Sequence, residues 1–453
     1  MIHPASFKDP AGFVFQKEGT WYRQVNKSGL PDMETLFQSG FYDSLVAARK
    51  LIPHQRIAEN LTASNEWYAT FLPEQLHRIS YPYEWSFSQL KDAALLTLDL
   101  ALLAMEKGMI LKDATPFNVQ FHEGRPVFID LLSFTRYDAS KPWVAYRQFC
   151  ENFLFPLLLE KYLGWNAREL LRTHLDGIPL ALTAKLLPWS SRLNPSVAMH
   201  VFLQQKMTNG KTVSAEKATG FSKQKMTNLL LHLQSMIRGL TWKRKTTWSD
   251  YYTDTILDQT YLQEKEKAFL AMLSSIKGKT ALDLGANDGY FSRLAANKGW
   301  QVVATDFDDV CIDRLYGQIR AEKIQSILPL CIDMANPSPA LGFAHRERDD
   351  FTRRMKSDLV LALALVHHLV IGKNIPLSRL ADYFAELGPN LLIEFVPRED
   401  EKTKGLLAQK EDIFSNYTPA NFEQAFGENY DLIAKQAISG THRVLYLYQR
   451  KEK

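Results

Sequence analysis

A cluster of glycine and short polar residues interrupts an apolar segment in the second half of the chain. Asp283 lies near the end of the apolar run 281–284, and Gly285, Asn287 and Gly289 follow before a helical pattern begins. Glycine and asparagine tolerate the left-handed backbone that a tight turn requires. Strand, glycine turn and helix in this order form the site that nucleotide-like cofactors use at the carboxyl end of a parallel strand.

Two further segments end in an acidic residue, as neighbouring strands of the same sheet could. Segment 301–306 ends in Asp306, and segment 326–333 ends in Asp333. A carboxylate at the end of the second strand is well placed to accept hydrogen bonds from both hydroxyls of a ribose. Each acid alone has an ordinary explanation, because aspartate favours turns and helix caps. Three acids at successive strand ends, beside a glycine turn, favour a shared binding site.

Apolar runs alternate with helical patterns through the rest of this half. The sequence predicts further strands over 358–363 and 390–396, helices over 308–320 and 377–387, and a closing hairpin over 430–437 and 442–449. Such alternation predicts an α/β domain with a mainly parallel sheet and helices on both faces.

These motifs resemble those of class I S-adenosylmethionine-dependent methyltransferases, whose first loop reads D/E-x-G-x-G-x-G. Here Asn287 replaces the middle glycine. The resemblance implies a Rossmann-like sheet, parallel with one antiparallel strand, and S-adenosylmethionine as the cofactor. NAD is the nearest rival, but its pyrophosphate needs a tighter glycine spacing, which this segment lacks.

The resemblance also implies roles for individual residues. Asp333 or its neighbour Met334 would meet the adenine amino group, and Tyr252 would fold over the methionine end of the cofactor. The complete predicted cofactor set is Asp283, Gly285, Asn287, Gly289, Asp306, Phe307, Asp333, Met334 and Tyr252.

The loop after the fourth predicted strand contains two adjacent histidines, His367 and His368. The acceptor should approach from this loop, because the cofactor would cover the ends of the first three strands. Since the ordinary histidine pKa suits proton uptake near neutrality, both are candidates for the base or for substrate contact, with Glu394 in reserve. Helix capping or packing explains the pair equally well. If one histidine acts, adjacency should point the other elsewhere.

The acceptor atom is predicted from a missing motif. No Asn/Asp-Pro-Pro-Tyr-type segment follows the fourth predicted strand. That argues against the usual enzymes that methylate amino groups of nucleic acids, and it favours oxygen as the acceptor.

The first half of the chain contains a different group of polar residues. Asp113 is followed five positions later by Asn118, then by a predicted hairpin and by Asp130 at the end of an apolar run. This group resembles the catalytic segment of protein-kinase-like and aminoglycoside-phosphotransferase-like folds. The resemblance implies that Asp113 orients an accepting hydroxyl, while Asn118 and Asp130 hold magnesium on nucleotide phosphates.

The departures from the kinase pattern leave three hypotheses open. No histidine or arginine precedes Asp113, no Phe-Gly follows Asp130, no glycine-rich phosphate loop is found, and Arg23 is the best substitute for the phosphate-binding lysine. The region could be an active kinase, a kinase-like fold that only docks a substrate, or a set of turn residues without ligand.

The expected organisation is an α+β, kinase-like domain over 1–205, a linker and connecting helix over 206–254, and a methyltransferase domain over 255–453. The segments Tyr81-Pro-Tyr-Glu-Trp-Ser-Phe-Ser and Leu111-Lys-Asp-Ala, followed by a methyltransferase, resemble bacterial two-domain, nodulation-type methyltransferases. The chain also resembles bifunctional kinase–methyltransferases that act on the end of a bacterial polysaccharide, although the domain order and the quality of the motifs differ. A non-catalytic ligand-binding scaffold is the remaining alternative.

Composition restricts the partners. The net charge of +4 is too small to argue for nucleic acid, and three scattered cysteines lack metal-ligand spacing and fit a reducing compartment. The N-terminus has no apolar signal core, and the longest apolar run is too short for a bilayer. We therefore expect a cytoplasmic protein that acts on a small-molecule or saccharide acceptor, without a metal, nucleic acid or a membrane. The oligomeric state is left open.

Overall fold

The computed structural model describes residues 1–209, 221–242, 244, 246 and 259–452. The chain forms two compact units. The first comprises Met1–Arg244 and Ala340–Arg348, and the second comprises Lys245–Pro339 and Asp349–Lys453. The division differs from the expected boundaries at two places. The helix predicted as a connector belongs to the first unit, and so does a short segment from the middle of the methyltransferase half.

The first unit is α+β. Its strands are β1 Gly12–Lys17, β2 Thr20–Asn26, β3 His54–Ile57, β4 Trp67–Pro73, β5 Met109–Leu111, β6 Val119–His122, β7 Arg125–Phe128 and β8 Phe134–Arg136. Its helices are α1 Leu30–Gln38, α2 Phe41–Ala47, α3 Phe87–Glu106, α4 Tyr146–Phe149, α5 Phe155–Leu163, α6 Leu170–Thr173, α7 Leu180–Leu186, α8 Pro195–Val197, α9 Gln204–Asn209 and α10 Lys223–Arg238.

An antiparallel sheet in the order β1-β2-β4-β3 begins the first unit, and it is called the small sheet below. The long helix α3 follows it. Ser86 caps α3 because its hydroxyl accepts a hydrogen bond from the Gln89 amide, while the Gln89 side chain accepts one from the Ser86 amide. Helix α3 ends at β5, and the loop after β5 carries Asp113. The helix therefore positions the predicted polar residues.

Helix α10 packs against α3, which is why the predicted connector belongs to this unit. The Lys91 ammonium donates to the carbonyl oxygens of Arg238 and Leu240, at 2.9 and 2.7 Å. The Gln234 amide donates to Asp99 at 2.5 Å. The two Lys91 contacts satisfy carbonyl groups at the C-terminus of α10, and the Gln234–Asp99 bond joins the sides of the two helices.

The second unit is α/β. Its strands are β9 Thr280–Leu284, β10 Gln301–Asp306, β11 Ile327–Cys331, β12 Leu359–Ala362, β13 Asn390–Phe395, β14 Tyr430–Ala437 and β15 Val444–Arg450. Its helices are α11 Gln259–Ser274, α12 Tyr290–Asn297, α13 Asp309–Glu322, α14 Phe351–Arg354, α15 Leu377–Leu387, α16 Glu401–Leu407 and α17 Pro419–Gly427.

Within the described residues, the strands of the second unit form one seven-stranded sheet, called the large sheet, in the order β11-β10-β9-β12-β13-β15-β14. Strand β15 runs antiparallel to both neighbours, and the other pairs are parallel. The predicted sheet with one antiparallel strand is therefore confirmed. The strand order reverses between β9 and β12, and ligands of such sheets bind outside the carboxyl ends at that point.

Within the described part of the chain, no helix combines the length and the apolarity that crossing a membrane requires.

Candidate cofactor and acceptor site

The glycine loop, residues 285–289, leaves β9 at the edge where the strand order reverses. Gly285, Asn287 and Gly289 all have positive φ angles, of 73°, 52° and 80°. The amides of Gly285 and Ala286 both donate to the carbonyl oxygen of Thr305 at 2.8 Å, which ties the loop to β10. A Cβ atom at Gly289 would lie 2.6 Å from a methyl carbon of Leu315. Glycine is therefore required at position 289 by both conformation and space.

Asp306 ends β10 and holds the middle of the glycine loop. Its carboxylate accepts hydrogen bonds from the amides of Asn287, at 2.8 Å, and Asp308, at 2.9 Å, one on each oxygen. Burial raises the pKa of Asp306 to about 6. The Phe307 backbone also hydrogen-bonds to this carboxylate. An ionised carboxylate can accept about four hydrogen bonds, so capacity remains for a ribose as the donor.

Asp333 and its neighbours lie at the same edge, since Asp306 and Cys331 are partners in the β10–β11 register. The Asp333 carboxylate accepts from the Ala335 amide at 2.9 Å, lies 3.6 Å from the Lys373 ammonium, and is 43% exposed. Phe307 is 61% exposed, whereas Met334 is buried. An exposed ring and an accessible carboxylate at one edge fit a purine that carries an amino group. Tyr252 lies outside the described residues.

Asp283 is less accessible than the other two acids, at 2% exposure. The hydroxyl of Ser292 in α12 donates to its carboxylate at 2.6 Å. Burial raises the pKa of Asp283 to about 6. The bond to Ser292 joins the end of β9 to the first turn of α12, and contact of Asp283 with the cofactor stays a prediction.

His367 and His368 follow β12 and pack against each other, with ring centres 4.1 Å apart. The expectation that adjacency points the two rings apart is wrong, since they are in contact at the start of a π-helical turn over His368–Gly372. His367 is 1% exposed, and its Nδ1 atom is buried without a hydrogen-bond partner. Burial lowers the pKa of His368 to about 4 and that of His367 well below its ordinary value. Both rings are neutral at pH 7.

Glu394, the reserve candidate for the base, is held in a buried ion network. Its carboxylate accepts from the Lys265 ammonium at 2.6 Å and from the Tyr261 hydroxyl at 2.9 Å, and Arg443 lies 3.6 Å away. Burial alone would raise the pKa of Glu394, but the charges of Lys265 and Arg443 hold it below its ordinary value. The expectation of a base at this position is therefore wrong. No pattern in the sequence predicts the network, because its elements are far apart along the chain.

In the first unit, Asp113, Asn118 and Asp130 line one cavity of about 260 Å³. Arg23 of β2 lies 2.7 Å from one oxygen of Asp130, and the Ser133 hydroxyl donates to the other at 2.5 Å. The Asn118 amide in turn donates to the Ser133 oxygen at 2.9 Å. The structure thus brings the predicted residues together, and Arg23 pairs with Asp130 directly.

The cavity also contains residues that sequence reasoning missed. Glu347 and Arg348 belong to its lining, although more than two hundred positions separate them from Asp113 and Asn118. Only folding brings them there.

Comparison with known proteins gives two relatives by sequence. The nodulation protein NoeA of Rhizobium meliloti (strain 1021) is 33% identical over 464 residues, which cover 99% of this chain and 96% of that protein. Phosphoethanolamine N-methyltransferase 1 of Triticum aestivum is 29% identical over 102 residues, which cover 21% of this chain and 20% of that protein. No family model matches.

Among solved structures, the N-methyltransferase NodS from Bradyrhizobium japonicum WM9, in complex with S-adenosyl-L-homocysteine, is similar to 45% of this chain and 91% of that chain, with 13% identity and a TM-score of 0.31. The strand order and the antiparallel β15, seen directly in the large sheet, give the second unit the class I methyltransferase fold. S-adenosylmethionine is the cofactor of this fold, and the glycine loop with Asp306 fits it.

Proposed function

The chain belongs to the family of the nodulation protein NoeA, and we propose that it transfers a methyl group from S-adenosylmethionine to a hydroxyl oxygen of a small-molecule or saccharide acceptor. The observation that carries this proposal is the glycine loop, which is hydrogen-bonded to Asp306 at the point where the strand order of the large sheet reverses. The cofactor supplies a methyl group activated by a sulfonium. The protein has to align the acceptor with that group and exclude water.

Several residues at this edge support the assignment of the cofactor. Asp306 would accept hydrogen bonds from the ribose, because three backbone contacts leave capacity on its carboxylate. Phe307 and Asp333 would cover the adenine and meet its amino group, with Met334 beneath them. Asp283 would face the methionine end from inside the sheet.

The charges near the histidine pair support oxygen as the acceptor atom. After burial itself, Lys402 and Arg443 are the groups that lower the pKa of His368. Cationic groups near the acceptor favour an oxygen that loses a proton, whereas they disfavour an amine that becomes cationic on methylation. His368 is more accessible than His367, so we assign it the proton-accepting role. His367 would hold its ring in place.

The first unit would hold the acceptor, as a kinase-like fold without phosphoryl transfer. The Arg23–Asp130 ion pair and the bonds through Ser133 hold Asn118 and Asp130 in the cavity wall. The sequence lacks a glycine-rich phosphate loop, and Arg23 is the best substitute for the phosphate-binding lysine, which supports docking over phosphoryl transfer.

Labelled methyl transfer tests the proposed function. The full-length protein, given S-adenosylmethionine with a labelled methyl group and a fractionated bacterial extract, should label an oxygen of one component. The His368→Ala variant should transfer at least about 100-fold more slowly, since general base catalysis typically contributes 10²–10⁴-fold. It should still bind S-adenosylhomocysteine. Label on nitrogen would contradict the oxygen assignment, and no label in any fraction would contradict the enzyme.

A further inference from the structure

A short segment of the methyltransferase half of the sequence is built into the first unit. The segment Ala340–Arg348 follows Pro339 and precedes Asp349, both of which belong to the second unit. Leu341 and Arg348 close it by exchanging backbone hydrogen bonds of 3.0 and 3.1 Å. The Glu347 carboxylate lies 3.1 Å from the Lys8 ammonium. The Phe343 ring lies 6.0 Å from that of Phe7. The segment is thereby fixed beside the N-terminal residues.

This segment presents Arg348 to the cavity of the first unit. The guanidinium carbon lies 3.9 Å from the centre of the Phe117 ring and 6.0 Å from that of Tyr81. One terminal nitrogen donates to the Glu347 carbonyl at 2.8 Å, while Nε is buried without a hydrogen-bond partner. Within the described residues, no carboxylate lies within 4.0 Å of this guanidinium. Aromatic stacking orients a planar cation and leaves its edge available for an acceptor group.

Most charged side chains that line the cavity form ion pairs with one another or with a neighbour. Lys8 pairs with Glu347 at 3.1 Å, and Arg23 pairs with Asp130 at 2.7 Å. Two further acids lie toward the outside: Asp9 pairs with Lys112 at 3.1 Å, and the Asp176 side chain is 98% exposed.

Within the described residues, Arg348 and Asp113 are the charged groups of the lining that form no ion pair. Burial, and then the charge of Asp130, raises the pKa of the Asp113 carboxyl. A ligand hydroxyl that donates to this carboxylate would offset part of the cost of burying it.

Neutral polar groups complete the wall. Thr115, Gln148 and Asn152 line the cavity, and the Oδ1 atom of Asn152 is buried without a partner. The cavity of about 260 Å³ is slightly smaller than the ~300–1,000 Å³ of drug-sized pockets. It therefore suits a group of the size of one sugar ring better than a nucleoside triphosphate.

We propose that this cavity binds a hydroxylated ligand that carries an anionic group, with Arg348 as the residue that recognises the anion and Asp113 as the acceptor of a ligand hydroxyl. The class of ligand is a saccharide with a carboxylate, phosphate or sulfate group. This inference rests on the proposed function only in identifying that ligand with the methyl acceptor. The binding itself does not depend on methyl transfer.

Calorimetry on the full-length protein without magnesium tests the proposal. The probes are glucuronate, glucose 6-phosphate and glucose 6-sulfate, with methyl glucoside as the uncharged comparison. At least one charged probe should bind and methyl glucoside should not. Arg348→Met keeps the length of the side chain but removes its charge. It should weaken binding by about 10–100-fold, as expected for hydrogen bonds to a charged group. Arg346→Met, an exposed neighbour on the same segment, should leave the affinity unchanged.

Each alternative outcome overturns the inference. Failure of all three charged probes at 20 mM excludes an anion site. Equal binding of methyl glucoside shows that charge is not recognised, and ATP with magnesium that binds equally well to Arg348→Met identifies a nucleotide site instead. S-adenosylhomocysteine affinity, measured on the same variants, should stay constant. If the wild-type protein does not bind S-adenosylhomocysteine at all, that result contradicts the proposed function but not the anion site.

Discussion

At the level of single residues, Asp306 both holds the backbone of the glycine loop and offers a carboxylate to a ligand. Its two oxygens each accept one backbone amide, from Asn287 and from Asp308, and burial raises its pKa to about 6. The ordinary value is 3.8. The raised pKa means that this carboxylate ionises in a pH range that binding experiments can cover.

We predict that affinity for S-adenosylhomocysteine falls by about tenfold between pH 7.5 and pH 5. With a pKa of about 6, only about a tenth of the Asp306 carboxyls are ionised at pH 5, and two ribose hydroxyls donate best to an ionised group. Calorimetry at both pH values checks this. Asp306→Asn should bind weakly at both.

Asp283 supplies the control, because its pKa is also raised to about 6. Asp283→Asn should keep the pH dependence, and loss of that dependence would show that the wrong acid has been assigned.

Thermal stability is a poor substitute for affinity in this experiment, because two groups change it in opposite directions. A raised carboxyl pKa stabilises the fold as the pH falls from 6 toward 4. The lowered pKa of His368, about 4, removes stability as the pH falls from 6.5, so the two effects oppose each other.

At the scale of elements, a buried ion network joins α11, β13, α16 and the start of β15. Lys265 and Tyr261 of α11 contact Glu394 of β13. Arg443, which precedes β15, bonds Asp400 with two nitrogens at 2.7 and 3.0 Å. Asp400 also caps α16 by accepting from the Lys402 amide. The network therefore fixes these four elements of the second unit relative to one another.

We predict that Glu394→Gln lowers the free energy of unfolding by about 3–5 kcal/mol, because it leaves Lys265 and Arg443 buried without their shared anion. Denaturant unfolding measures the loss. Adding Lys265→Met should restore part of it, since the double variant removes one of the two cations. Glu386→Gln, on the exposed side of α15, should change stability by less than about 0.5 kcal/mol. A loss below 1 kcal/mol for Glu394→Gln would show that the pair contributes little.

At the scale of the whole molecule, the two units are not continuous in sequence. The segment Ala340–Arg348 interrupts the second unit between β11 and α14 and completes the cavity of the first. The Phe351 amide donates to the Ser338 carbonyl at 2.9 Å, so the chain on either side of the segment is already close together. The second unit can therefore close without it.

We predict that replacing residues 340–348 by three glycines abolishes binding of the charged sugar probes and leaves affinity for S-adenosylhomocysteine within about twofold of wild type. The first effect follows from the loss of Arg348, and the second follows because the glycine loop and Asp306 lie outside the segment. Calorimetry with both kinds of ligand checks this. Loss of S-adenosylhomocysteine binding would show instead that the segment supports the large sheet.

Local sequence patterns predict the large sheet and the residues that meet at one of its edges. The predicted bounds of β10, β14 and α15 agree with the structure, and the strand ends of β9, β10 and β11 bring the glycine loop, Asp306 and Asp333 to one edge. Local rules suffice for this, because alternating apolar runs specify a parallel sheet and parallel strands end on the same side. The group around Asp113 was likewise recognisable, since its members lie close together along the chain.

Long-range contacts, by contrast, determine which of these groups are accessible and what surrounds them. They bury Glu394 in an ion network, pack His367 against His368, and bring Glu347 and Arg348 to a cavity whose other residues come from the first half of the chain. Burial, ion pairing and long-range insertion depend on contacts between residues far apart in sequence. Periodicity and motif spacing depend only on residues that are close along the chain, so they cannot predict such contacts.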